Sequence, residues 1–196
     1  MSIARARVIL MVAATFTVSL VGLAFMPFVE GPVPARTGGF GEMTCLECHW
    51  DNPLNDPQGR LALSGTPTAY MPGARYSIIV DLTRPGLVFG GFQLSARFDG
   101  GSSAGTNAGV LRPVDELTER VADETGRITY VQHTKAGSTG VKPGAARWTV
   151  EWTAPAGDAP VIFHAAGNAA NGDASPLGDF IYTTTASSRA TGEAVK

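Results

Sequence analysis

Cys45-Leu46-Glu47-Cys48-His49 is a complete C-x-x-C-H run, and it holds the only two cysteines of the chain. That spacing is the attachment signature of c-type haem. Two thiols three residues apart form thioethers to the haem vinyl groups, and the adjacent His49 lies beneath the ring to ligate the iron. Three other readings use the same residues. A Cys45-Cys48 disulfide would be a redox pair, but such motifs open a helix in a thioredoxin-like unit, and no such unit shows in the sequence. A structural zinc takes four Cys or His ligands, and there is no second cysteine pair. Chance occurrence would leave two unpaired thiols on an exported protein, which is uncommon.

Iron ligated by His49 has a sixth position whose occupant decides its role. The candidates are His133, Met71, His164 and Met43, or an open site. His133 closes a strand pattern and leads into Thr134-Lys135-Ala136-Gly137, where a loop can bring it over the haem. Met71, before Pro72-Gly73, is the alternative sixth ligand. His164 follows Phe163 on a strand and by alternation faces away from the apolar side. A second protein ligand leaves no place for substrate, so the expected role is one-electron transfer and not catalysis. An open site would admit ligands and peroxidase-like chemistry. Trp50 either covers an edge of the porphyrin or plugs the core. Asp51, Asp56, Asp115, Glu116 and Glu119 are scattered, and no Ser/His/Asp or paired-carboxylate set recommends a hydrolase.

The elements that position these residues are strands. Gly 24 and Pro 13 together make about a fifth of the 196 residues, against roughly 12% in average usage, which argues against a helical bundle. Hydrophobic residues at 44% exclude a disordered chain, and a formal net charge of −2 lacks the basic footprint of a nucleic-acid binder. Period-two patterns run over Arg75–Thr83, Phe92–Phe98, Ile128–His133, Trp148–Trp152, Val161–Ala165 and Phe180–Thr184. Trp148 and Trp152 fall in phase with Val150 and are expected in the core. Pro113–Asp123 fits either one short helix or a strand starting near Arg120. Short strands with one apolar face each, separated by Pro/Gly turns, predict an all-β, antiparallel β-sandwich.

Upstream, Arg5 and Arg7 precede an apolar run from Val8 to Val29, ~33 Å long as a helix. It reads as an uncleaved membrane anchor helix or as a signal peptide cut after Ala35. Either places the remainder on the periplasmic side of the cytoplasmic membrane or at the cell surface. Without residues 1–35 the chain keeps 13 basic and 16 acidic residues, a net −3. The expected organisation is an export segment over 1–29, a Gly/Pro-rich linker over 30–44 and a c-type haem-attachment lobe over 45–70. A β-sandwich over 71–185 and a flexible tail over 186–196 follow. The expected cofactor is one covalent haem c, held by Cys45, Cys48, His49 and His133. The expected partners are the membrane and redox proteins of a membrane-bound electron-transfer complex, with no nucleic acid. The rival from another class is an exported adhesion or binding module with a Cys45-Cys48 disulfide and no haem.

Several blocks in order carry a family resemblance: Gly41-Glu42-Met43-Thr44 with the C-x-x-C-H run, Tyr70-Met71-Pro72-Gly73-Ala74-Arg75-Tyr76 and Phe89-Gly90-Gly91-Phe92-Gln93-Leu94. His133-Thr134-Lys135-Ala136-Gly137, Trp148 to Pro155 and Ala165 to Asp173 follow. From about Gly38 to Thr185 the chain resembles the reeler-like, choice-of-anchor V domains of bacterial exported proteins. The resemblance implies an immunoglobulin-like sandwich preceded by a Cys-x-x-Cys-His segment, exported and often attached to the cell surface. Reeler domains of animal proteins appear without haem, so the sandwich alone does not imply electron transfer. The His-Thr-x-Ala-Gly block recurs in bacterial members, which fits an iron ligand and equally a structural turn. Position 164 is usually aromatic there, so His164 departs from the family. The usual C-terminal sorting segment is missing, which favours an N-terminal anchor.

Overall fold

The computed structural model describes residues 29–139 and 141–191. The export segment expected over 1–29 therefore lies outside the described residues except for Val29. Among the described residues no helix is long and apolar enough to cross a membrane.

Among the described residues there are ten strands: β1 (Arg60–Ser64), β2 (Ala69–Tyr70), β3 (Arg75–Thr83), β4 (Phe89–Phe98), β5 (Val110–Pro113), β6 (Thr118–Ala122), β7 (Thr129–His133), β8 (Ala145–Thr153), β9 (Val161–Ala170) and β10 (Phe180–Ala190). One short helix, α1 (Lys135–Thr139), follows β7. The protein is all-β. The strands form a four-stranded sheet, β1-β3-β8-β5, and a six-stranded sheet, β2-β10-β9-β4-β7-β6. Every pairing is antiparallel except the short one between β2 and β10.

Alternation puts the core between the sheets. Ile78, Val80 and Leu82 share a face with Trp148, Val150 and Trp152, and Phe92, Leu94 and Ala96 with Val161, Phe163 and Ala165. Contacts between the sheets are aromatic: Phe92 meets Trp148 with centroids 4.6 Å apart, and Trp152 meets Phe163 edge-on at 4.9 Å. Both indoles place Nε1–H on backbone carbonyls, Trp148 on Gly137 and Trp152 on Ala108. A buried indole without that partner would cost about 1–3 kcal/mol.

β4 is buried on both faces, because residues 33–44 lie across the outer face of the six-stranded sheet. The Arg36 N–H donates to Gln93 Oε1 at 2.7 Å, and Gln93 Nε2 donates to the Val33 carbonyl. Glu42 accepts from Arg97 and from the Tyr130 hydroxyl, and Thr37 is fully enclosed beside Ser95. This stretch, expected as a linker, has instead become the cover of a polar sheet face. Gln93, Ser95 and Arg97 require that cover, since they are buried polar groups that need partners.

Two further boundaries differ from expectation, and of the two readings of 113–123 the strand holds. The 113–123 segment holds two strands and no helix, since Pro113 ends β5 and β6 pairs with β7. The sheets start at Arg60, inside the expected 45–70 lobe, with Leu61↔Leu82 and Leu63↔Val80 in register. At the other end β10 continues to Ala190, with Ser188 buried and Arg189 paired to Ala69. The tail expected from 186 is therefore strand over its first residues.

Candidate functional site

Thr44 opens the helical turn Cys45–Glu47, its hydroxyl accepting from the Leu46 N–H. The N–H groups of Cys48 and His49 both return to the Cys45 carbonyl, at 3.2 and 3.0 Å. A turn closed in this way sets residues i, i+3 and i+4 on one side, which brings Cys45, Cys48 and His49 together. Arg36 clamps the turn through an ion pair with Glu47 at 2.5 Å.

These residues line a cavity between the N-terminal segment, the neighbouring ends of β4, β7 and β9, and the 172–179 loop. The cavity has a volume of about 190 Å³ and opens to solvent at its mouth. Phe89, Phe92, Pro32, Val33 and Ala170 supply apolar wall. His133 lines it too, although β7 is remote in sequence from the C-x-x-C-H run.

The position of His133 follows from where a ladder stops. β4 and β7 pair Leu94↔Val131 and Gln93↔Gln132 and go no further. At the next rung the imidazole takes the place of backbone: His133 Nδ1 lies 3.0 Å from the Phe92 N and 3.2 Å from its carbonyl oxygen. His133 is only 6% exposed. Gly91 makes the room, since a Cβ there would stand 2.8 Å from His133 Cε1. Ligation through Nε2 would require the tautomer with its proton on Nδ1, donated to the Phe92 carbonyl. The other tautomer accepts from the Phe92 N–H and has nothing to offer iron.

His49 is held from the opposite side. Its Nδ1 lies 2.8 Å from Asp179 Oδ2 and 3.1 Å from the Pro176 carbonyl. The 172–179 loop is fastened to the segment after His49: the Gly178 N–H donates to Asp51, and the Asn52 amide to the Asp179 carbonyl. Burial pushes the Cys45 thiol up to about 12, which keeps it protonated at neutral pH. A redox-active C-x-x-C needs the reverse shift. Both cysteines are free, and the described residues contain no cluster of three or more His, Cys, Asp or Glu fit for a metal ion.

These features fit haem c. The donor set is two thiols and two imidazoles on one cavity, the walls are largely apolar, and Gly91 leaves the recess that a side chain would fill. One buried polar atom at the site, Asn168 Oδ1, has no hydrogen-bond partner among the described residues.

The other candidates lie elsewhere. Met71 is 60% exposed, Met43 and Trp50 are also exposed, and none of the three lines the cavity. Trp50 therefore plugs no core. His164 sits on the outer face of β9 under Phe40, ring centroids 5.5 Å apart, with Gly39 close above it. Sequence reasoning missed Asp179, Asn168 and Gly91. Asn168 was within reach, because period two along β9 sets Ile162, His164, Ala166 and Asn168 on one face. Asp179 gives no such signal, since it stands in an irregular loop.

Burial, aided by the Arg97 guanidinium and weakly opposed by Asp99, lowers the pKa of His164 below 6.5. The folded chain holds this ring neutral while the unfolded chain takes up its proton, so stability is lost as pH falls below 6.5. His164→Phe keeps the aromatic contact and removes the titration. Urea midpoints between about pH 7 and about pH 5 are expected to fall less steeply in the variant; parallel curves would acquit His164.

No family model and no curated protein matches the chain. Among solved structures it is similar to the Reelin-N domain of F-spondin, at 21% identity over 75% of this chain and 97% of that one, with a TM-score of 0.47. The human F-spondin reeler domain follows at 22% identity, 67% and 89% coverage and a TM-score of 0.42. A cohesin module from a Clostridium perfringens family 33 glycoside hydrolase is 12% identical over 69% and 98%, with a TM-score of 0.43. All three scores are below 0.5, and the all-β assignment stands on the strands themselves.

Proposed function

We propose that this chain is a monohaem c-type cytochrome that passes single electrons outside the cytoplasm. One haem c is bound through Cys45 and Cys48 and ligated by His49 and His133. The observation that carries the reading is the presence of His133 on the cavity of the C-x-x-C-H turn. Bound haem supplies a one-electron couple at iron. The chain's own residues do the rest. The Thr44-capped turn presents two thiols and one imidazole on one side, and the end of β7 presents the second imidazole. A sixth position filled by protein keeps substrate off the metal, so the protein carries electrons and is not an enzyme. We read the whole as a reeler-like, immunoglobulin-like sandwich whose N-terminal lobe forms one wall of the haem site. The apolar run before residue 30 tethers it to the membrane, as an accessory subunit of a redox complex.

Expression with the c-type maturation machinery, followed by a reduced pyridine haemochrome spectrum, tests this. The expected result is a c-type α-band and one haem per chain. Colourless protein with Cys45 and Cys48 disulfide-linked would overturn electron transfer and leave an exported binding module.

A further inference from the structure

We propose that Asp179 is a positioning residue for His49: its buried carboxylate fixes the imidazole proton on Nδ1, leaves Nε2 to the metal and holds the reduction potential down. The proposal rests on the haem reading above. Asp179 is 2% exposed, and each polar contact of its carboxylate is with a donor. Oδ2 takes His49 Nδ1 at 2.8 Å and Asn168 Nδ2 at 3.1 Å, and Oδ1 takes the Asn171 N–H at 3.0 Å. All three partners are nitrogens, and the carboxylate has an acceptor oxygen to offer each of them.

The oxygens around the ring favour a proton on Nδ1. Two oxygens, from Asp179 and the Pro176 carbonyl, face Nδ1. A bare Nδ1 would set its lone pair against both. Asn168 Nδ2 is nearly equidistant from the two ring nitrogens, 3.4 Å from Nδ1 and 3.3 Å from Nε2, and does not choose between them. With the proton held on Nδ1 by the two oxygens, Nε2 is the nitrogen that would ligate a metal. A carboxylate on the far nitrogen makes the ring a stronger donor, and a buried negative charge one hydrogen bond away favours the more positive, oxidised iron. The loop cannot swing away, because Asn52 and Asp51 fasten its backbone on either side of the Gly178–Asp179 peptide.

The test compares the haem-loaded wild type with Asp179→Asn, Asp179→Glu and Asn168→Ala, reading potentiometric titration, optical spectrum and haem yield. Asp179→Asn keeps an acceptor and loses the charge. Its reduced-to-oxidised ratio at fixed ambient potential is expected to rise about tenfold, about 59 mV for one electron, with an unchanged ligation spectrum. Asp179→Glu restores the charge and returns the ratio toward wild type. Asn168→Ala removes a competing donor from Oδ2 and shifts the ratio the opposite way, which decides the matter should Asp179→Asn fail to fold. A purely structural role would lower haem yield or melting temperature without moving the potential. Variants carrying haem at the wild-type potential overturn the proposal alone. A wild type that takes up no haem overturns the haem reading, and this proposal with it.

Discussion

In the cytochrome proposed here, His133→Ala is expected to leave the haem covalently attached and to convert the iron from low-spin to high-spin. The thioethers depend on Cys45 and Cys48, so haem per chain is unchanged, while loss of one of two imidazoles opens the sixth position. Optical and electron paramagnetic resonance spectra read the change directly, and added imidazole restores the low-spin state by entering the vacated recess. Met71→Ala is the control: an exposed side chain away from the cavity leaves the spectrum as it was. A low-spin His133→Ala protein would strike His133 from the ligand set. The variant is also expected to lose about 1–3 kcal/mol, because the Phe92 N–H and carbonyl lose the ring that stands in for a ladder rung.

Glu42→Ala is expected to cost about 3–5 kcal/mol, the range for removing one partner of a buried ion pair. The side chains of Glu42 and Arg97 are 10% and 5% exposed. Tyr130 completes the set, accepting from Arg97 at 2.7 Å and donating to Glu42 at 2.6 Å. Without Glu42 the guanidinium keeps its burial penalty, which already lowers its pKa, and the cover over the sheet loses its strongest tie. The cover carries Arg36 and leads into the Cys45–Glu47 turn. A large drop in urea midpoint, together with lower haem yield, is the outcome to look for. A variant within about 1 kcal/mol of wild type would show that the hydrophobic contacts alone hold the segment.

Much of the sandwich can be read from period two. β3 spans the same Arg75–Thr83 that its alternation marks, and the two core tryptophans are in the expected phase. Reading failed where alternation loses its meaning. β4 alternates Phe92, Leu94 and Ala96 against Gln93, Ser95 and Arg97, which describes a strand wet on one side. Its polar side is instead dry, because a Gly/Pro-rich segment lies on it, and such a segment shows no periodicity of its own. β2 is two residues long and β5 four, too short for a pattern. For the site, the local motif gave three of the residues outright. His133 could be proposed only by elimination among few candidates, and Asp179 needed the loop to be seen closing on His49.

The interrupted ladder and the 172–179 loop also bear on the order in which the molecule is assembled. Ribosomes release the C-x-x-C-H turn long before the second imidazole, and Asp179 comes later still, at the threshold of the last strand. β10 must then insert between β9 and β2 before the far wall of the cavity exists. Closing such distant segments is the slow part of β folding. For the cytochrome proposed here, a cofactor held only by its pocket would have nowhere to stay in that interval. On that reading, two thiols well ahead of the strands would let the attachment come first and the pocket fold around a passenger already on board.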